Sequence, residues 1–226
     1  MVYLWLVYFI ILHNNIPWGC IVNIDEGRPE GNGTRKMAMN RLGNGLFAGG
    51  HQEEALSVRE ALLSEGRRLG EREDFILIAQ NNLAGTYQVL GRHEEALPLR
   101  RDVYSGFVKL NGEEHEKTLQ AASNYATSLC ALLRFKEVKS LMRTTIPVAR
   151  RVLGDDDRIT FMMRWNYVDA LYKDPGATLD DLREVVRLLE DLAPTARRVL
   201  GSAHPVAAGI ERDLRESQAA LRAREA

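Results

Sequence analysis

Gly43, Gly45 and Ala48 stand in the order G-x-G-x-x-A, a spacing that in a dinucleotide site lets the backbone approach a pyrophosphate. Such a loop works only directly after a strand and inside a βαβ unit, and the residues around it here read as helix. His93-Glu94-Glu95 has the opening of the zinc pattern H-E-x-x-H, but Leu97 stands where the second histidine is needed. Asp155-Asp156-Asp157 lacks the remaining ligands of a calcium loop and suits the cap of a following helix. His115 and His204 occupy matching turns and read as helix starts. The pairs Arg67-Arg68, Arg150-Arg151 and Arg197-Arg198 have the chemistry to hold an anion. They fall, however, in the last turns of predicted helices, where the helix dipole favours cations. No serine, cysteine or threonine sits in a nucleophile motif. The residues therefore predict no enzyme, no cofactor and no metal site.

Asparagine carries the remaining chemistry. Asn82, Asn124 and Asn166 each follow a glycine, Gly70, Gly112 and Gly154, by twelve residues. An amide side chain offers two donors and two acceptor lone pairs, which suits the main chain of an extended peptide. The alternative is that each asparagine ties its own helix to the next.

What positions these residues is a repeat. Gly70, Gly112, Gly154 and Gly201 are separated by steps of 42, 42 and 47 residues. A fixed period of this size marks a stacked array of supersecondary units, none of which can bury its apolar face alone. In the clearest unit, Ile76, Leu83, Tyr87 and Leu90 recur at helical spacing before Gly91. Leu97, Leu99, Val103, Phe107 and Leu110 follow at the same rhythm before Gly112, so the unit is helix, turn, helix. A shift of 42 pairs Asn82-Leu83-Ala84 with Asn124-Tyr125-Ala126, and a shift of 41 backwards recovers a worn first unit through Gly50-His51-Gln52-Glu53-Glu54-Ala55-Leu56. Asp174-Pro175-Gly176 is a lengthened turn that accounts for the long last step. Gly43, Ala84, Ala96 and Ala126 mark positions where paired helices approach closely.

The predicted fold is all-α: a right-handed α-solenoid of stacked antiparallel helix pairs over residues 34–226. Its units fall at 34–70, 74–112, 116–154 and 157–201, with a capping helix at 205–224. Arg215 stands in that last helix at the place of Ala84 and Ala126 and excludes a further close-packed helix, while Val206, Ile210, Leu214 and Leu221 turn inward.

Composition bounds the partners. The chain has 226 residues, 45% hydrophobic and 27% charged, with a formal net charge of −1, so no global field draws in nucleic acid or an anionic membrane. Its two cysteines, Cys20 and Cys130, form no C-x-x-C, which argues against a disulfide framework and for a reducing, cytoplasmic setting.

The motifs Asn81-Asn82-Leu83-Ala84-x-x-Tyr87 and Gly91-Arg92-His93-Glu94-Glu95-Ala96-Leu97 resemble the tetratricopeptide family. The inter-unit phrases Leu110-Asn111-Gly112 and Leu200-Gly201-Ser202-Ala203-His204-Pro205 place the resemblance with the long-repeat, kinesin-light-chain-like variant. It covers about residues 34–205, and no heptad coiled coil precedes it. The resemblance implies that the first helix of each unit lines a concave surface. It places there Asn81, Asn82 and Gln88 from one unit, Asn124 and Thr127 from the next, and Trp165, Asn166, Asp169 and Tyr172 from the third. The arginine pairs fall on the convex side. The implied function is non-catalytic: a scaffold holding an extended segment of a protein or peptide partner. Alternatives are a structural spacer or a weakly self-associating element, and an enzyme resting on the glycine motif alone.

Residues 1–12, MVYLWLVYFIIL, are wholly apolar. Twelve residues are too few to cross a bilayer core of about 30 Å as a helix. No Lys or Arg precedes them and no small-x-small site follows. Three readings stay open: a signal or anchor formed by residues 1–22, an element buried on the first repeat, and a poorly ordered or wrongly assigned start. A secreted or membrane-anchored location follows only from the first. Residues 25–33 read as a linker, and Asn32-Gly33-Thr34 is a glycosylation sequon with meaning only in a secreted chain.

Overall fold

The computed structural model describes residues 31–201 and 205–225, and every regular element among them is an α-helix. In chain order these are α1 (Gly31–Ala48), α2 (Gln52–Arg68), α3 (Glu73–Val89), α4 (His93–Asn111), α5 (Glu116–Ala131), α6 (Phe135–Val152), α7 (Arg158–Tyr172), α8 (Leu179–Leu200) and α9 (Pro205–Glu225). The all-α repeat expected from the period is the fold observed. Helix α1 begins at Gly31, ahead of the expected start at residue 34. The apolar residues 1–12, most of the expected linker and His204 lie outside the described residues. No described helix is long and apolar enough to cross a membrane.

Glycine in the left-handed region ends the helices. Gly91, at φ 73°, lets the chain turn so that Arg92 N donates to Tyr87 O at 2.8 Å, closing the end of α3. Gly50 does the same after α1, where His51 N donates to Leu46 O at 2.9 Å. One step further along the register stands Leu133, at φ 57°, and Arg134 N still donates to Leu129 O at 2.9 Å. The turn is preserved there with a leucine in the glycine position.

The chain forms two compact units that divide between Leu99 and Arg100. In the first, α1 packs on α2 and α2 on α3. Its core gathers Leu56, Leu63, Ala79 and Leu83, with Ile76, Tyr87, Leu90 and Leu99 packed against them. A Cβ at Gly66 would lie 2.9 Å from the Phe75 ring. A glycine inside α2 is thus the cost of bringing α2 and α3 together.

In the second unit α5 packs on both α6 and α7, α7 on α6 and α8, and α8 on α9. Leu119, Leu129, Met142, Phe161, Met163, Leu171, Leu189, Leu192 and Ile210 fill its interior. Ala84 and Ala126 are both 0% exposed, as close-packed positions should be. The register of Ala55 and Ala96 continues through Val138 and Val185, and all four are fully buried. In α9, Ile210 is buried but Val206, Leu214 and Leu221 are only half-buried, which corrects the expected inward stripe. Ala207 and Ser217 take the deepest places instead, because small side chains let α9 approach α8 closely. Arg215 is exposed, consistent with a capping helix.

Candidate functional site

Asn81, Asn82 and Gln88 lie on α3 in the first unit, all half-buried. Their surroundings are organised by a residue that sequence reasoning passed over. Arg59 reaches from α2, 7% exposed, and donates through Nη1 to Asn82 O at 2.9 Å and to Thr86 Oγ1 at 2.6 Å. Its Nη2 donates to Asn44 Oδ1 at 3.0 Å, and the guanidinium lies 4.6 Å over the Phe47 ring. Among the described residues no carboxylate joins this set, Arg59 Nε has no hydrogen-bond partner, and burial pushes the Arg59 pKa down. A Cβ at Gly43 would stand 3.3 Å from Arg59 Cγ. The G-x-G-x-x-A pattern therefore lies within helix α1, and its first glycine makes room for a buried arginine. The signal for Arg59 was available: it interrupts the apolar stripe of Leu56 and Leu63 at helical spacing.

Asn124 and Thr127 stand on α5, and Trp165, Asn166, Asp169 and Tyr172 on the adjacent α7, so one unit brings six of the predicted residues onto two neighbouring helices. They do different work. Asn166 is 5% exposed, and its Nδ2 donates to Ser123 O and to Thr127 Oγ1, both at 3.1 Å. Thr127 Oγ1 also donates to Ser123 O at 3.0 Å, and Cys130 Sγ to Asn166 O at 3.8 Å. Asn166, expected on the partner-binding surface, is spent on tying α7 to α5. The physical reason is the close helix approach, which buries the amide and makes unmade bonds expensive.

Asn124 stays half-buried and accepts from Gln120 Nε2 at 3.1 Å. Trp165, Asp169 and Tyr172 are also half-buried, and Trp165 and Tyr172 lie two turns apart on one helix. Asp169 pairs with Lys173 at 2.7 Å, and that hydrogen bond raises the Lys173 pKa. Burial, with a smaller effect from Asp169, pushes the Cys130 thiol up to about 12, so it is a poor nucleophile.

Arg150, Arg151, Arg197 and Arg198 are engaged near the turns between helix pairs. Arg150 donates to Asp155 at 2.9 Å, Arg151 to Glu114 at 2.8 Å, Arg197 to Glu211 at 2.6 Å, and Arg198 to Asp156. Arg68 pairs more loosely with Glu65 at 3.9 Å. Apart from Glu65 and Glu211, which are half-buried, the partners are exposed, and such pairs have small individual worth. Asp157 caps α7 by accepting from Ile159 N at 2.7 Å, and His115 Nδ1 caps α5 by accepting from Lys117 N at 3.1 Å. The aspartate run is thus divided between one helix cap and two ion pairs. Among the described residues no group of three or more His, Cys, Asp or Glu is placed to hold a metal ion.

The family model described as Tetratricopeptide repeat matches residues 75–151. No curated protein matches the chain. Among solved structures, repeats from Podosopora anserina, described as putative kinesin light chain nearly identical TPR-like repeats, are 22% identical over 84% of this chain and 94% of that chain, with a TM-score of 0.62. A point variant of those repeats is 21% identical over 84% and 93%, with a TM-score of 0.63. BtubC (BKLC) from P. vanneervenii is 15% identical over 95% of this chain and 84% of that chain, with a TM-score of 0.57. At these identities the likeness is one of fold. Residues 75–151 match the tetratricopeptide repeat family, and the chain has the all-α repeat fold of these kinesin-light-chain-like structures.

Proposed function

We propose that this chain is a non-catalytic scaffold that holds an extended segment of a partner protein against the first helices of its repeats. Tetratricopeptide repeats act generally as protein–protein interaction modules, and the reading narrows that role to one face. The observation that carries it is the half-buried set Asn124, Trp165, Asp169 and Tyr172 on the adjacent helices α5 and α7. Trp165 and Tyr172 supply apolar area for one anchor side chain, while Asn124 and Asp169 supply an amide and a carboxylate at its border. Within the first unit, Asn81, Asn82 and Gln88 offer amide chemistry on α3. The neighbourhood holds few cations, which favours an internal peptide segment over a free C-terminal carboxylate. Cytoplasmic residence belongs to the same reading.

The test is a pull-down with the full chain, followed by peptide mapping and titration of the mapped peptide. Trp165→Ala is expected to weaken binding by about 2 kcal/mol, or roughly thirtyfold. Asn124→Ala should cost about 1 kcal/mol as a main-chain hydrogen bond is lost. Binding that survives both changes but is lost on replacing Arg150 and Arg151 would refute this face as the site.

A further inference from the structure

Two departures of the array from its own repeat line one cleft. The first is Leu133, which stands where Gly50 and Gly91 end the corresponding helices. It holds φ 57° while 70% exposed. A leucine in the left-handed region is disfavoured relative to glycine, and an exposed one recovers little by burial. The second is the lengthened turn at Asp174-Pro175-Gly176. That turn is well held: Gly176 N donates to Asp174 Oδ1 at 3.0 Å, Ala177 N to Asp174 O at 2.9 Å, and Lys139 Nζ to Asp174 Oδ2 at 2.6 Å. Leu133, Phe135, Lys136, Lys173 and Pro175 border a cleft of about 440 Å³ between the two turns. Local backbone strain without a folding benefit points to a use for the side chain.

Charge says what kind of segment fits. Arg134 is balanced by Glu137 at 2.5 Å, Lys173 by Asp169 at 2.7 Å, and Asp174 by Lys139 at 2.6 Å. Lys136 is exposed and makes no ion pair among the described residues, although its field helps the Lys139 hydrogen bond hold the Asp174 carboxyl low. The cleft thus offers apolar ground at Leu133 and Pro175 beside Lys136, a cation without an ion pair among the described residues, and the already paired carboxylates of Glu137 and Asp174.

We propose that this cleft is a second docking site, which shares the Asp169–Lys173 pair with the α5–α7 face. It takes a partner segment in which an aliphatic side chain packs on Leu133 and Pro175 while a neighbouring carboxylate meets Lys136. The strained leucine is kept because it is the anchor of that contact.

The test is a titration of the isotope-labelled full chain with acetyl-Gly-Ser-Leu-Glu-Ser-Gly-amide, followed by amide chemical shifts. At peptide concentrations up to about 10 mM, above the ~1 mM dissociation constant expected for a single-anchor peptide, shifts should concentrate at residues 133–137 and 173–177. Replacing the peptide's Glu by Gln, or Lys136→Glu in the protein, should weaken binding at least about fivefold. Leu133→Gly should abolish it; because that change relieves strain, the loss is separable from unfolding, which a melting curve of the same variant checks. Three results each overturn the proposal: no shifts at these residues, shifts of equal size in both variants, or concentration-dependent self-association that Leu133→Gly removes. The last would show that a second copy of this chain covers the cleft.

Discussion

Replacing Arg59 tests whether the charge or the volume of that side chain holds the first unit together. Arg59 is 7% exposed, without a carboxylate partner among the described residues, and its register continues through Arg100, Met142 and Leu189. The second unit thus keeps an arginine there, and the third and fourth fill the same place with apolar side chains. Arg59→Met removes three hydrogen bonds from a charged donor, worth about 1.5 kcal/mol each, and a stacking contact worth about 1 kcal/mol. Against this loss of about 5 kcal/mol stands the release of a buried, uncompensated charge, which costs several kcal/mol to desolvate. The acceptors do not become orphans: Thr86 Oγ1 still donates to Asn82 O at 3.3 Å, and Asn44 is exposed to water. The net change for Arg59→Met is therefore about 1 kcal/mol or less. Arg59→Ala leaves a cavity beside Phe47 and Thr86 and should cost about 2 to 4 kcal/mol. Urea unfolding of the full chain, followed by circular dichroism at 222 nm, reads both. If Arg59→Met costs as much as Arg59→Ala, the hydrogen-bonded charge itself is indispensable and the volume argument is wrong.

Ala84→Leu and Ala126→Leu should each destabilise by about 1 to 3 kcal/mol, since both alanines are 0% exposed, while Arg215→Ala should shift the urea midpoint little. Leu133→Gly should stabilise by about 0.5 to 1 kcal/mol, the relief of a left-handed leucine less the extra freedom of glycine in the unfolded chain; a lower melting temperature would count against the strain. Asn166→Ala should destabilise the fold by about 1 to 3 kcal/mol by removing its bonds to Ser123 O and Thr127 Oγ1, whereas Asn124→Ala should change stability by about 0.5 kcal/mol or less. Cys130, its thiol pushed up to about 12, should be alkylated at pH 9 at least about a hundredfold more slowly in the native chain than in urea. The same raised pKa makes its contribution to stability fall as pH rises from about 9 toward 12, which urea titrations across that range would register.

The helix pairs were legible in the sequence because their signals are local. Apolar side chains recur at helical spacing, and glycines mark the turns at Gly50, Gly91, Gly112 and Gly154, where the backbone does adopt positive φ. Burial at Ala84 and Ala126 was legible for the same reason, since a small residue that returns at one register position marks a close approach of helices. What one register position does in each unit was not legible. The three asparagines share a register, yet Asn166 is buried in bonds to Ser123 and Thr127, whereas Asn124 remains half-exposed with Gln120 as its neighbour. That difference depends on the residues facing each asparagine across the helix pair, and these do not repeat.

A repeat array also tells where to look when it breaks its own rule. The shift of 42 that pairs Asn82 with Asn124 pairs Gly91 with Leu133, an exception that the sequence analysis did not single out. Its meaning needed the backbone, because a leucine at that position is compatible with a turn that has simply been remade. The turn has not been remade: the bond from Arg134 N to Leu129 O matches those after Gly50 and Gly91. The fold therefore carries the strain of Leu133 rather than relaxing it. Arg59 is the converse case, an arginine whose register later passes to Met142 and Leu189. There the exception lies inside the fold, where packing explains it through Gly43 and Phe47. Leu133 is an exception on the surface, 70% exposed, and a surface exception maintained against backbone preference is where a partner is to be sought.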